Sequence, residues 1–108
     1  MSEQTQYLPL GSIVHVSGGI RKYLIVARGL QVKVNGEDKF FDYGACVYPE
    51  GMAGDRLMYF QHANISSVVF QGFSDEDNEL MVKNIQEAVK SRNIRHADVK
   101  QIKQYMGN

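Results

Sequence analysis

The sequence predicts an α+β fold: a strongly bent antiparallel β-sheet or small open β-barrel of about five to six strands, then a C-terminal amphipathic helix and a short second helix. Three observations carry this reading. Short β-branched and aromatic runs, punctuated by Gly, Pro and Asn-Gly, fill the chain as far as Phe73. A run of Ser74, Asp75, Glu76 and Asp77 then opens the first stretch with helical periodicity. Strands followed by helices, without alternation, favour a segregated α+β arrangement over a parallel α/β one.

Taken in order, residues 1–7 are polar and aperiodic, which predicts a flexible lead-in. Residues 8–73 form the predicted β domain, and residues 74–108 a helical segment packed on it. Pro9 biases Leu8 toward an extended conformation, and Gly11-Ser12 turns the chain into the strand Ile13-Val14-His15-Val16. Ser17-Gly18-Gly19 ends that strand. Tyr23 to Ala27 is a continuous apolar run, the pattern of a buried strand. Gly29 is expected to separate it from Leu30, Val32 and Val34, which alternate with Gln31 and Lys33 as a strand with one wet face does.

Asn35-Gly36 suits the positive φ angles of a hairpin turn, with Glu37 and Asp38 expected to lengthen the loop. The strand Phe40 to Tyr48 is apolar on both sides, so it should be central. Period-two alternation sets Phe41, Tyr43, Ala45 and Val47 on one side and Phe40, Asp42, Gly44, Cys46 and Tyr48 on the other. Pro49 to Arg56 has two glycines and no apolar periodicity, which predicts an exposed loop. Leu57 to Phe60 and Ile65 to Phe70 read as strands, with a turn at His62-Ala63-Asn64 between them.

Ser74 is the expected helix N-cap, with a carboxylate three positions on as in a capping box. Met81, Ile85, Ala88 and Val89, with Val82 beside them, form the expected packing face, and Lys90 and Arg92 suit the far end of the helix dipole. Asn93 is expected to break the helix. Val99, Ile102 and Met106 then mark the short terminal helix, with Lys100 and Lys103 on its wet side.

With 108 residues the chain has room for one modest core, and 44% hydrophobic against 22% charged residues is a globular composition. Twelve basic and twelve acidic residues leave a formal charge of zero, which removes the usual footprint of a nucleic-acid binder and leaves self-association as a homodimer open. The single Cys46 cannot form an intrachain disulfide, which fits a reducing, cytoplasmic compartment. No signal peptide is expected from the polar N-terminus, and no membrane insertion from apolar runs far shorter than the roughly 20 residues a spanning helix needs.

No catalytic residue, metal site or cofactor is expected. His15, His62 and His96 are far apart and form no zinc-ligand spacing. Cys46 lies within an apolar strand, where a small core role outweighs a nucleophilic one. Asp42, Glu50 and Asp55 are the only carboxylates near one loop, without diagnostic spacing. The glycine clusters carry no phosphate-binding lysine motif. A base-stacking platform would draw on Tyr23, Phe40, Phe41, Tyr43, Tyr48, Tyr59 and Phe60, with Arg21, Lys22, Arg28, Lys33 and Lys39 nearby, but aromatics in apolar strands pack cores by default. Arg92, Arg95, Lys100 and Lys103 read as a solvated helix face. Tyr48, Pro49, Glu50, Gly51 and Met52 join an aromatic, a rigid corner and a flexible thioether in an exposed loop, a composition suited to a protein partner.

Leu8-Pro9-Leu10-Gly11-Ser12-Ile13-Val14, Gly18-Gly19, Asp42-Tyr43, Tyr48-Pro49-Glu50-Gly51 and Val69-Phe70-Gln71-Gly72-Phe73, in that order ahead of an acidic helix start, resemble a family of small bacterial proteins classed as a domain of unknown function. Its members look like accessory proteins of Gram-positive type VII secretion gene clusters, beside LXG-type toxins and their small helical partners. The resemblance runs from about Leu8 to Val89. It implies a non-enzymatic cytoplasmic chaperone or adaptor that binds a secreted toxin or its targeting region. An immunity protein that neutralises such a toxin and a small nucleic-acid-binding barrel are the alternatives.

Overall fold

A computed structural model describes residues 4–92 and residue 94. Among these the elements run β1 (Ile13–Val16), β2 (Lys22–Val34), β3 (Glu37–Tyr48), β4 (Met58–Phe60), a 3-10 turn at His62–Asn64, β5 (Ile65–Phe70) and α1 (Glu76–Ser91). The strands form one antiparallel sheet in the order β4-β3-β2-β1-β5. The fold is α+β with an open five-stranded sheet. Strands stand about 4.8 Å apart, so a flat sheet of this order would hold its edges about 19 Å apart. The connector from β4 to β5 includes a 3-10 turn and is shorter than that reach, so the sheet must bend to bring its edges together.

β2 runs unbroken through Gly29, where two strands were expected. Gly29 has φ of +62° and bends the strand without ending it. A Cβ there would also meet Ile85 of α1 at 3.1 Å, so the missing side chain lets the helix approach. The hairpin at Asn35 and Gly36, with φ of 54° and 83°, is the expected one, but it is a tight two-residue turn. Val34 pairs directly with Glu37, and Lys33 reaches Asp38 at 3.1 Å, so the acidic pair belongs to the ladder and not to the loop.

β3 lies between β2 and β4 and is buried continuously from Phe40 to Cys46. Strict alternation fails within it. Phe40 joins Tyr43 and Ala45 in the main core, while Phe41 packs with Val32, Val34 and Tyr59 in a small second cluster. The change of side falls where the ladder passes from Leu30–Phe41 to Arg28–Tyr43, with Gly29 between. The main core gathers Val14, Val16, Tyr23, Ile25, Met58, Phe60 and Ile85, drawn from β1, β2, β4 and α1. Tyr23, Tyr43 and Phe60 meet there as tilted ring pairs.

The α1 N-cap is Asp75, one residue beyond the expected Ser74; its carboxylate accepts from the Asn78 amide at 3.0 Å. Ser74 instead accepts from the Asn78 side chain, so the capping box expected between Ser74 and the Asp77 carboxylate is replaced by these two contacts to Asn78. The packed face is Val82, Ile85 and Val89, whereas the expected Met81 is 44% exposed. The helix ends at Ser91. Asn93 and the expected short terminal helix lie outside the described residues. No helix among the described residues is long and apolar enough to cross a membrane.

Candidate functional site

The loop after β3 is exposed yet held in place. Gly51 donates to the Val47 carbonyl at 2.7 Å, folding the corner back on the strand that feeds it, and the Tyr48-Pro49 peptide is cis. One Arg21 nitrogen, from the turn before β2, donates to both carboxylate oxygens of Glu50. This contact holds the exposed Glu50 below the usual carboxylate range. Lys22 pairs with Tyr48 across the ladder and sets its ammonium 6.0 Å from the Tyr48 ring centre, a cation–π arrangement. The Glu50 carboxylate and the Gly51 amide are thus occupied, while much of the loop's apolar surface stays open to solvent. Tyr48, Met52 and the neighbouring Ile20 are 40%, 51% and 93% exposed. A surface of this kind offers aromatic and thioether contact area on a backbone already ordered, the economy that favours protein recognition.

The other candidate carboxylates do not join Glu50. Asp55 is exposed, and Asp42 is buried in a polar network of its own. Tyr7 donates to one Asp42 oxygen at 2.8 Å and the His62 backbone amide to the other at 2.8 Å. Gln61 closes the ring by accepting from the Asp42 amide and donating to the Phe40 carbonyl. Leu8 donates its amide to the Tyr43 hydroxyl, which also shares a hydrogen bond of 2.7 Å with His62 Nδ1. Burial, and after it the Asp42 carboxylate, push the Tyr7 phenol far above its ordinary range; burial does the same to Tyr43. The network therefore straps the N-terminal segment onto the sheet. Tyr7 is only 6% exposed, so the flexible lead-in expected over residues 1–7 does not extend to it.

Arg28 extends the strap to the helix. Its Nη1 donates to the Leu8 carbonyl at 3.2 Å and to Asn78 of α1 at 2.6 Å, while Nε finds no partner among the described residues. Burial lowers its pKa. Gln86 of α1 donates to the Thr5 carbonyl, so the helix grips the same segment twice. Two clefts flank the strap. One, of about 550 Å³, is lined by glutamines 4, 6, 71 and 86 with Lys83 and Glu87; the other, of about 540 Å³, by Asp42, Gln61 and His62.

The remaining candidates scatter. Cys46 is buried in β3, His15 is half-buried in β1, and His96 lies outside the described residues. No group of three His, Cys, Asp or Glu side chains that could hold a metal occurs among the described residues. Tyr23, Phe40, Phe41, Tyr43 and Phe60 are buried, so they present no base-stacking face. Tyr7 and Gln61 are the residues that sequence reasoning missed; it weighs His62 only as a metal ligand and a turn residue. Their only signal is the proximity of Gln61 and His62 to a turn, because their partners stand 19 to 35 positions away.

No curated protein and no solved structure matches this chain significantly. Residues 7–81, from the strap through the sheet to the first turns of α1, do match a family, and on that match the chain belongs to the family described as Domain of unknown function (DUF4176).

Proposed function

We propose that this protein is a non-enzymatic, protein-binding accessory factor, a cytoplasmic chaperone or adaptor that holds a type VII secreted LXG-type toxin, or its targeting region, before export. The observation that carries the binding role is the loop of Tyr48, Pro49, Glu50, Gly51 and Met52. Its one charge, Glu50, is paired with Arg21 of the turn before β2, its backbone is tied to β3 through Gly51, and Tyr48 and Met52 are exposed. Nothing in the core requires that exposure. The choice of a secreted toxin as partner rests on the resemblance of the ordered sequence motifs to type VII accessory proteins.

The test is capture from native cytosol with tagged protein, followed by mass spectrometry, comparing the native chain with the double variant Tyr48→Ala, Met52→Ala. Recovery of an LXG-type toxin by the native chain and its loss from the variant is the expected result. Equal recovery by both would move the binding site elsewhere. Salt-sensitive recovery of nucleic acid alone would overturn the reading. A purified toxin assay separates the chaperone from an immunity protein, since only the latter abolishes toxicity.

A further inference from the structure

The N-terminal segment lies on the sheet without joining it. Among the described residues, residues 4–8 make no backbone-to-backbone hydrogen bond, and side chains hold them instead: Tyr7 on Asp42, Tyr43 on the Leu8 amide, Arg28 on the Leu8 carbonyl and Gln86 on the Thr5 carbonyl. The Tyr43 hydroxyl is the joint with the least freedom. Its residue is fully buried, and its only hydrogen-bond partners among the described residues are the Leu8 amide at 2.9 Å and His62 Nδ1 at 2.7 Å. The Leu8 amide can only donate, so it always occupies an acceptor site on the phenolic oxygen. The one hydrogen of the hydroxyl then has a single acceptor within reach, Nδ1, and only while that nitrogen carries no proton. Hydrogen-bond accounting therefore selects, for the neutral ring, the tautomer protonated on Nε2.

We propose that His62 is a proton-operated latch on the N-terminal segment: the neutral ring completes the Tyr43 joint, and the protonated ring loosens Leu8. An imidazolium donates from both nitrogens. Tyr43 then faces two donors, and its own hydrogen is left without an acceptor where water does not reach, which favours opening one of the two contacts. The ring is the better fixed neighbour, because it packs against Tyr43 at 5.8 Å between ring centres and its backbone amide donates to Asp42. Leu8 belongs to a segment that only side chains retain, so Leu8 yields. Gln4 and Gln6 line both clefts, so displacing this segment joins the two into one groove.

The ring can be reached by solvent, since it is half-buried and forms part of the wall of the cleft of about 540 Å³. Two charges bear on it. Asp42 of β3, which also holds Tyr7, accepts the His62 backbone amide and favours the imidazolium; Arg28 of β2, which holds the Leu8 carbonyl beside the joint, opposes it. Among the described residues the rest of that wall, Gln4, Thr5, Gln6, Gln61 and Ala63, is uncharged. The nearby carboxylate thus makes protonation attainable, and the shared hydroxyl converts it into a displacement.

Hydrogen exchange followed by nuclear magnetic resonance tests the latch on the full chain. The protection factor of the Leu8 amide, corrected for the intrinsic effect of pH, is expected to fall on the order of tenfold between about pH 8 and pH 5, the interval in which imidazoles change charge. The fall is expected to follow the ring resonances of His62, while the Ile25 amide, bonded to the Ser12 carbonyl at 2.9 Å, keeps its protection. His62→Asn sets an uncharged acceptor oxygen on Cγ, where Nδ1 stands, and is expected to keep Leu8 protected across the whole interval. Unchanged protection of Leu8 in the native chain, a fall that tracks His15 instead, or a fall that survives in His62→Asn overturns the proposal. An equal loss at Ile25 does so too, because the opening would then be that of the whole sheet.

Discussion

The two edges of the sheet are finished in opposite ways. β4 is three residues long, its Met58 and Phe60 are buried in the main core, and the chain leaves it directly into the Gln61–Asp42–His62 network. β5 is twice as long, contributes only Ile65 to the core periphery, and shows its valines and Phe70 to solvent. One edge is closed by the chain's own polar and aromatic groups. The other is left uncovered, and its ladder with β1 is interrupted by two register shifts. Stability should therefore concentrate near β4, and β5 should tolerate substitution.

The largest expected effect breaks the β4 side. Phe60→Ala, at a fully buried ring that touches Tyr23 and Tyr43, should cost about 3–5 kcal/mol in urea unfolding. Asp42→Ala strips partners from the Tyr7 hydroxyl and the His62 amide within a buried site. About 3 kcal/mol is expected from groups left unsatisfied there. Asp42→Asn keeps one acceptor and should lose less.

Alkali should find the same region. Tyr7 and Tyr43 have folded pKa values above their ordinary 10.0, so their contribution is complete below that value. It is lost as pH rises beyond it, where the unfolded chain ionises first. The urea midpoint should fall above pH 10, and Tyr7→Phe should flatten that fall. At the acid end, Glu50 is depressed by Arg21, so that contact is intact above the usual carboxylate range and released as pH drops through the lowered value. Proteolysis of the loop after β3 should rise on acidification, and Arg21→Ala should make it equally open at neutral pH.

The smallest effect on folding is expected at β5. Val68→Lys should change stability by no more than about 0.5 kcal/mol in urea unfolding, because the side chain is half exposed at the sheet edge. A large loss of stability in that variant would erase the contrast between the edges.

The sheet and helix were legible because they rest on local signals: β-branched runs, Asn35-Gly36, and the acidic start of α1. β2 was not, since Gly29 reads as punctuation when its φ and its contact with Ile85 are unknown. The 48–52 loop could be marked as exposed from its Pro and Gly content, but its fixation by Arg21 depends on a contact 29 positions away. The Asp42 network was least legible. A carboxylate in an apolar strand looks like a wet-side residue until Tyr7 and Gln61 are folded onto it. Nor does a sequence say which strand will stand at an edge, so the exposure of Val68 to Phe70 emerges only from the strand order.

Arg28 has a consequence for how the protein is made. Its Nη1 contacts span 20 positions back to Leu8 and 50 forward to Asn78. The second partner is translated only after every strand of the sheet, so a nascent chain can complete the sheet while this buried cation is still half satisfied. The arrival of the helix then closes the joint, and a chain interrupted before Asn78 would carry an internal charge without that partner, a lesion on which cellular quality control can act.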